Sequence, residues 1–256
     1  NISKQTAPCP SSPSALSRFR TINMQLAIKG VRDAVGTDLL IDHAINNIDE
    51  LDKTANLLAK RLREWYELYL PEISKSIQNH EAFVRLILEK NKQDMMKDLN
   101  LTETMGADLR EEDVNQILTL AYHLTDNYAL REKHLAYLES KLKEHAPNLL
   151  ELLGTTIAAK LIEHAGNLKR LAILPSSTVQ LLGAEKALFR HLTRGARPPK
   201  YGIIINHPFI TNADKKNKGK AARALADKIS MCARLDYFKG EFKAPEYRKS
   251  LEAKFK

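Results

Sequence analysis

Glycine and proline are scarce, ten of each in 256 residues, and aromatics make up only 6%. So few turn formers argue against a sheet-rich fold and for long solvated helices. The two cysteines, Cys9 and Cys232, are far apart and form no CxxC pattern. That excludes a disulfide framework and leaves two free thiols in a reducing compartment. Histidines such as His80, His123 and His164 are scattered without metal-ligand spacing, so no zinc site is expected. No apolar run approaches the ~18 residues of a membrane span. GxGxxG, GxxxxGK[ST], GxSxG and HExxH are all missing, and no base is spaced to serve Ser176, Ser177 or Thr178 as a nucleophile. A cofactor-dependent or hydrolytic enzyme is therefore disfavoured.

The chain opens on Asn1 and a proline-broken polar stretch over residues 1–15 with no signal-peptide pattern. It reads as a disordered or extended linker, and the whole as a piece of a longer protein.

What the sequence has in excess is positive charge, and the excess is local. The formal net charge is +9. Residues 1–71 carry 9 basic and 8 acidic side chains, residues 72–147 carry 10 and 14, and residues 148–256 carry 21 and 9. A surplus confined to the last part points to one polyanion-binding surface.

The periodicity predicts an all-α fold. An amphipathic helix covers residues 16–35 and ends near Gly36, and Asp38 is placed to cap the next. Ile41, Ala44, Ile48, Leu51, Ala55, Leu58, Leu62, Trp65 and Tyr69 then alternate steps of three and four, a coiled-coil seam. A second seam runs Val114, Ile117, Ala121, Leu124, Tyr128, Leu135, Leu138 and Leu142, broken only by Arg131. Shorter helices over residues 79–91 and 92–101 and a turn at Gly106 lie between. Two long helices around a helical insert make an antiparallel coiled-coil hairpin with the insert as its tip. The seams either bury each other or recruit a second hairpin as a homodimer. Three domains follow: residues 1–37 as linker and first helix, 38–146 as the coiled coil, and 147–256 as a compact helical module.

Within that module, Pro175 stops one helix, and Ser176, Ser177 and Thr178 can cap the next, with Val179, Leu182, Leu188 and Leu192 turned to the core. Lys186 and Arg190 share a helix face, and Arg194, Arg197 and Lys200 follow in the exit loop, with Glu185 the single acid. Any one of these suits an ordinary solvated surface. Together they suit a phosphate backbone. Tyr201 to Ile205 is expected to be a buried extended segment. The lysines 215, 216, 218 and 220 with Arg223 surround Gly219 at the start of a last helix over residues 217–238, whose inner face is Ala222, Leu225, Ile229, Cys232 and Ala233. Lysines there oppose the helix dipole, and a bound anion would compensate. The tail beyond Lys239 is charged and weakly patterned. His207, beside Pro208, is either a hydrogen-bonded structural residue or a base-stacking contact.

The run LPSSTVQLLGAEKALFRHL, with PKYGIIINHPFI after it, resembles the signature of the Nop domain of box C/D small ribonucleoprotein core proteins and a spliceosomal relative. The likeness extends through LDKTANLLAKRLREWYELYLPEI, APNLLELLGTTIAAKLIEHAGNL and KGKAARALADKISMCARLDYF. It implies a non-catalytic scaffold of an RNA 2′-O-methylation and rRNA-processing particle. Such a scaffold recognises a kink-turn guide RNA together with the ribosomal-protein-like kink-turn-binding protein and dimerises through its coiled coil. The resemblance implies RNA contact at Gly183, Ala184, Lys186, Arg190, Arg194, Lys200 and His207, and contact with the protein partner at Ile157, Ala158 and Ser176. It implies no cofactor of the chain's own, because S-adenosylmethionine belongs to a fibrillarin-type methyltransferase. That enzyme docks on an N-terminal domain not found in these residues. Location would be the archaeal cytoplasm or a eukaryotic nucleolus. The full GAEKALFRHL segment favours the box C/D branch over the spliceosomal one. A coiled-coil adaptor without RNA binding, or an enzyme of unfamiliar helical fold, is the rival class.

Overall fold

A computed structural model describes residues 13–255 of the chain. Of the linker expected over residues 1–15, residues 1–12, Cys9 among them, lie outside the described residues, and residues 13–15 are already helical, which corrects that bound. All regular secondary structure among the described residues is helical, with no strand.

In chain order, α1 is Pro13–Asp33 and α2 Thr37–Tyr66, followed by three short helices, α3 Pro71–Ser76, α4 His80–Glu89 and α5 Lys92–Asp98. Then come α6 Glu111–His145, α7 Pro147–Leu153, α8 Thr155–Ala165, α9 Leu168–Ile173, α10 Ser176–Val179 and α11 Glu185–Arg194. A 3-10 turn at Ile203–Asn206 precedes α12 Pro208–Thr211, α13 Lys218–Tyr237 and α14 Ala244–Phe255.

Helices α2 and α6 form the expected antiparallel hairpin. Asp52 binds Arg131 at 2.5 Å, Asn47 binds His134 at 3.1 Å and Asp38 binds His145 at 2.7 Å, so partner numbers rise as α2 numbers fall. The stripe on α2 differs from expectation. Ile41, Ile45, Ile48, Ala55, Ala59, Leu62 and Tyr66 are buried, whereas Leu51 and Leu58 are half-buried and Trp65 is 41% exposed. The seam therefore runs one residue further round the helix at alternate positions, through Asp52 in place of Leu51. Small Ala59 lets α2 and α6 approach closely, and Tyr66 is needed at the tip. Arg131, which interrupts the second seam, meets the polar position of the first.

The tip has its own core. Phe83, Val84 and Ile87 of α4 and Met95 of α5 pack against Leu62, Tyr66, Ile117 and Leu124. Tyr66 stacks edge-on to Phe83 at 5.6 Å, and its hydroxyl points to the Met95 sulfur at 3.7 Å. Asn79 caps α4 by accepting from the N–H groups of Glu81 and Ala82. Arg63 lies 4.4 Å over the Phe83 ring and donates to the Ser74 carbonyl at 2.8 Å. A Cβ on Gly106 would fall 2.2 Å from the Tyr69 carbonyl, so the turn there needs glycine.

The second core does not begin at residue 147. Ile41, Ala44, Ile45 and Ile48 of α2 and Leu138 and Leu142 of α6 share one core with Leu149, Leu161, Leu171, Leu225 and Ile229. The hairpin base is thus part of the C-terminal module. Its central helix, α13, buries the predicted face of Ala222, Leu225, Ile229, Cys232 and Ala233. Burial pushes the Cys232 thiol up to about 12, so it stays protonated and inert.

Two polar ties fix the base. The Asp38 carboxylate accepts from His145 Nε2 and from the Leu168 N–H that opens α9. Asp236, at the end of α13, accepts from the backbone N–H groups of Asn148 and Leu149 and from Asn148 Nδ2, at 2.8–3.0 Å. It thereby satisfies the start of α7, which has no cap of its own. Asn148 Oδ1 in turn accepts from the N–H groups of Lys243 and Ala244, fastening α14. The tail is therefore not loose, as its weak pattern suggested: Ala244 and Leu251 are buried.

Candidate nucleic-acid interface

The signature run folds as a short turn, a tight corner and one protruding helix. α10 starts behind Pro175, and no side chain caps it, so Ser176, Ser177 and Thr178 do not play the capping role expected of them. Val179 and Leu182 reach the core as predicted. The corner is built on two glycines. Gly183 has φ +84°, and a Cβ there would meet the Ile203 side chain at 2.3 Å. A Cβ on Gly202 would lie 1.8 Å from the Leu182 carbonyl. Gly183 is thus required by internal packing and by its left-handed backbone, beyond any need for a partner's approach.

The segment after the basic loop crosses that corner. Gly202 N–H donates to the Gln180 carbonyl and Ile203 N–H to the Leu182 carbonyl, both at 2.8 Å. The chain then curls into the 3-10 turn at Ile203, so the extended segment expected over 201–205 does not continue past Gly202. With one pair of bonds and no second strand, helix-like curvature wins.

α11 leaves this corner with no buried residue. Leu188 is only half-buried and Leu192 is 73% exposed, which corrects the expectation that both enter the core; Phe189 is 68% exposed. The tight Gly183 corner turns α11 off the module, beyond reach of the core. Its ends are pinned instead. Glu185 accepts from the Gly183 N–H at 2.6 Å and lies 3.6 Å from His164 of α8. Gly195 closes the helix in the left-handed conformation, and His191 Nδ1 binds the Ala196 carbonyl. Gln180 Nε2 donates to the Lys200 carbonyl at 2.6 Å, tying the loop back.

Lys186, Arg190, Arg194, Arg197 and Lys200 are all exposed. Among the described residues none of their side chains has an acidic partner. Five unneutralised cations on a pinned helix and its exit loop leave room for phosphate oxygens. Ala184, at the corner, is half-buried. Lys215, Lys216, Lys220 and Arg223 at the start of α13 are likewise exposed and unpaired among the described residues.

The other expected contacts are not all brought together. His207 is half-buried at the opposite end of α8. Its Nε2 donates to the Leu152 carbonyl at 3.1 Å, and its Nδ1 accepts from the Phe209 N–H, capping α12. Glu185, next to Lys186, meets His164 near the C-terminal end of α8, whereas His207 is fastened to Leu152 ahead of the N-terminal end of α8. Ala158 is 0% exposed, a core residue with no surface for a partner, which corrects its place among the protein contacts. Ile157 and Ser176 keep part of their surface. Leu192 is exposed although apolar spacing consigned it to the core, and Phe189, to which the sequence reading gave no role, is exposed with it.

Desolvation lowers the His207 pKa below its ordinary 6.5. A depressed histidine contributes stability that is full above 6.5 and lost as pH falls through its folded value. Protonation would also remove the Nδ1 acceptor from the α12 cap. Urea unfolding from pH 7.5 to 5 is expected to show a loss of stability on the acid side of 6.5 that a His207→Asn variant lacks. An equal loss in both proteins would show that the titration lies elsewhere.

Among the described residues no three His, Cys, Asp or Glu groups come together to hold a metal, and no helix is long and apolar enough to cross a membrane. Fold and site together define a helical-hairpin protein that presents a basic helix outward. Residues 47–256 match the family described as "Nop: snoRNA binding domain, fibrillarin", and the chain belongs to the Nop family. An uncharacterised NOP5 family protein of Methanocaldococcus jannaschii is 40% identical over 230 residues, covering 84% of this chain and 55% of that protein. Nucleolar protein 58 of Candida albicans is 40% identical over 220 residues, covering 80% and 43%. The chain thus spans about half the length of these relatives. The crystal structure of a fibrillarin/Nop5p complex has the same fold, with a TM-score of 0.57 and 23% identity, over 99% of this chain and 88% of that one.

Proposed function

We propose that this chain is the scaffold portion of a box C/D RNA-guided 2′-O-methylation particle. The observation that supports this most is α11, a helix without a buried residue whose cations lack acidic partners. A helix so exposed is kept for something outside the chain. Lys186, Arg190, Arg194 and Lys200 contact the guide RNA's phosphates, near the Gly183–Ala184 corner. His207 contributes a ring face, since both its nitrogens are engaged. Ile157 and Ser176 belong to the surface for the small kink-turn-binding protein. The hairpin over residues 38–146 joins two copies, and residues 147–256 hold the RNA. The chain needs no cofactor: a fibrillarin-type methyltransferase, held by a part of the protein outside these residues, carries S-adenosylmethionine. The NOP5 and nucleolar names of the relatives favour the box C/D branch over the spliceosomal one, with a nucleolar setting in eukaryotes and a cytoplasmic one in archaea.

Gel shift on a kink-turn RNA, with and without its small binding protein, tests this over a salt series. Retention is expected only with the small protein present, and it should weaken steeply with salt. Absence of salt-sensitive retention would instead support a plain coiled-coil adaptor.

A further inference from the structure

α11 is held by its ends, because none of its ten residues is buried. A helix that short, without tertiary support, is marginal in water. Its persistence and its direction therefore depend on a few ties. At the C-terminal end these stay within one stretch of chain: Gly195 N–H donates to the His191 carbonyl, and the His191 ring binds the Ala196 carbonyl. At the N-terminal end Ala184 offers no side-chain cap. Glu185 closes the corner in its place, since its Oε1 accepts from the Gly183 N–H at 2.6 Å.

The same carboxylate oxygen lies 3.6 Å from Nδ1 of His164 on α8. Among the described residues this is the one acid–base contact between α11 and another helix. α8 is a firm wall to brace against, with Ala158, Ala159, Leu161, Ile162 and Ala165 in the core. On charge alone, Glu185 is misplaced. It is the single acid beside Lys186, Arg190, Arg194, Arg197 and Lys200, and a carboxylate there repels a phosphate backbone. What it contributes is geometry: one oxygen faces both the corner that α11 leaves and the helix that α11 passes.

We infer that Glu185, braced by His164, is a positioning residue for RNA: it keeps α11 ordered and sets the direction in which the helix leaves the Gly183 corner. Lys186 and Arg190 then reach the phosphates from a fixed frame. His164 acts through Glu185 and touches no RNA. This rests on the RNA contact assigned to α11 under the proposed function and adds what aims it.

Five proteins test it: the unaltered chain, Glu185→Ala, Glu185→Gln, His164→Ala and the double variant His164→Ala/Glu185→Ala. Both residues are exposed and belong to neither core, so folding is retained, which circular dichroism checks. In gel shift on a kink-turn RNA with its small binding protein, Glu185→Ala is expected to bind about tenfold more weakly, as loss of a helix cap would give. The sign is decisive, because removing an acid from a basic surface would by charge alone tighten binding. Glu185→Gln keeps an oxygen for the Gly183 N–H and is expected to stay close to the unaltered chain. His164→Ala is expected to weaken binding, and the double variant to bind no more weakly than Glu185→Ala. Equal or tighter binding by Glu185→Ala would overturn the positioning role, and additive losses would overturn the action of His164 through Glu185. A second measurement needs no RNA. Deuterium exchange followed by mass spectrometry is expected to quicken over residues 188–195 in Glu185→Ala and His164→Ala, with α13 unaffected. Unchanged exchange in Glu185→Ala would overturn the inference. An unaltered chain that retains no RNA would remove the proposed function instead, and the exchange result would still decide whether Glu185 orders α11.

Discussion

Replacing Asp236 with alanine is expected to cost about 3–5 kcal/mol, a large share of the ~5–15 kcal/mol that holds an ordinary domain together. The carboxylate is the acceptor for three N–H donors at the first turn of α7, and it is nearly inaccessible to water. Alanine leaves those donors unmet, at about 1–3 kcal/mol for each buried orphan, with partial relief where water enters the gap. The loss spreads because Asn148, oriented by Asp236, also fastens the chain ahead of α14. Burial pushes the Asp236 carboxyl above the ordinary carboxylate range, while the donors around it work the other way. The amide introduced by Asp236→Asn keeps one acceptor oxygen, so that variant should lie between the alanine variant and the unaltered protein. Urea unfolding followed by circular dichroism measures the difference. An alanine variant within about 1 kcal/mol of the unaltered protein would mean that the cap contributes little.

Reversing charge at Lys186 and Arg190 together is expected to leave that stability unchanged and to remove RNA assembly. Both residues sit on a helix that buries nothing, so the core does not register them. Each phosphate contact contributes about 0.9 to the slope of log K against log salt on a duplex. The double variant Lys186→Glu/Arg190→Glu should therefore bind at least ~100-fold more weakly at moderate salt, with a slope shallower by about 2. Substituting Lys169 and Lys249, basic and exposed but outside the cluster, serves as the control. Equal losses from both pairs would mean that net charge, and not this helix, drives association.

Much of this was visible in the residues themselves. The 3.5-residue repeats announced two long helices, and the intervening helical pieces announced a tip. The inner face of α13 was correct residue by residue, because small and aliphatic groups recur there at helical spacing. The concentration of cations past residue 148 located the basic helix. Spacing failed where one face had to be chosen over its neighbour. Leu58 and Trp65 outrank Ala59 and Tyr66 in hydrophobicity, yet the small and the hydrogen-bonding side chains lie inside. Likewise Leu188 and Leu192 promised a core face that α11 does not have.

The sequence by itself determined an all-helical hairpin, its antiparallel pairing and the sign and location of its charge, since each follows from repeat period and composition. Tertiary structure alone decided which side of α2 is buried, that the hairpin base shares the module's core, that His207 is fastened to Leu152 while Lys186 stands on an outward helix, and that α11 and α1 stand bare. The physical reason is that period fixes the shape of an element, whereas its inward side is chosen by what arrives opposite it: Arg131 opposite Asp52, Asp236 beneath α7, and the Gly183 corner turning α11 away from the core.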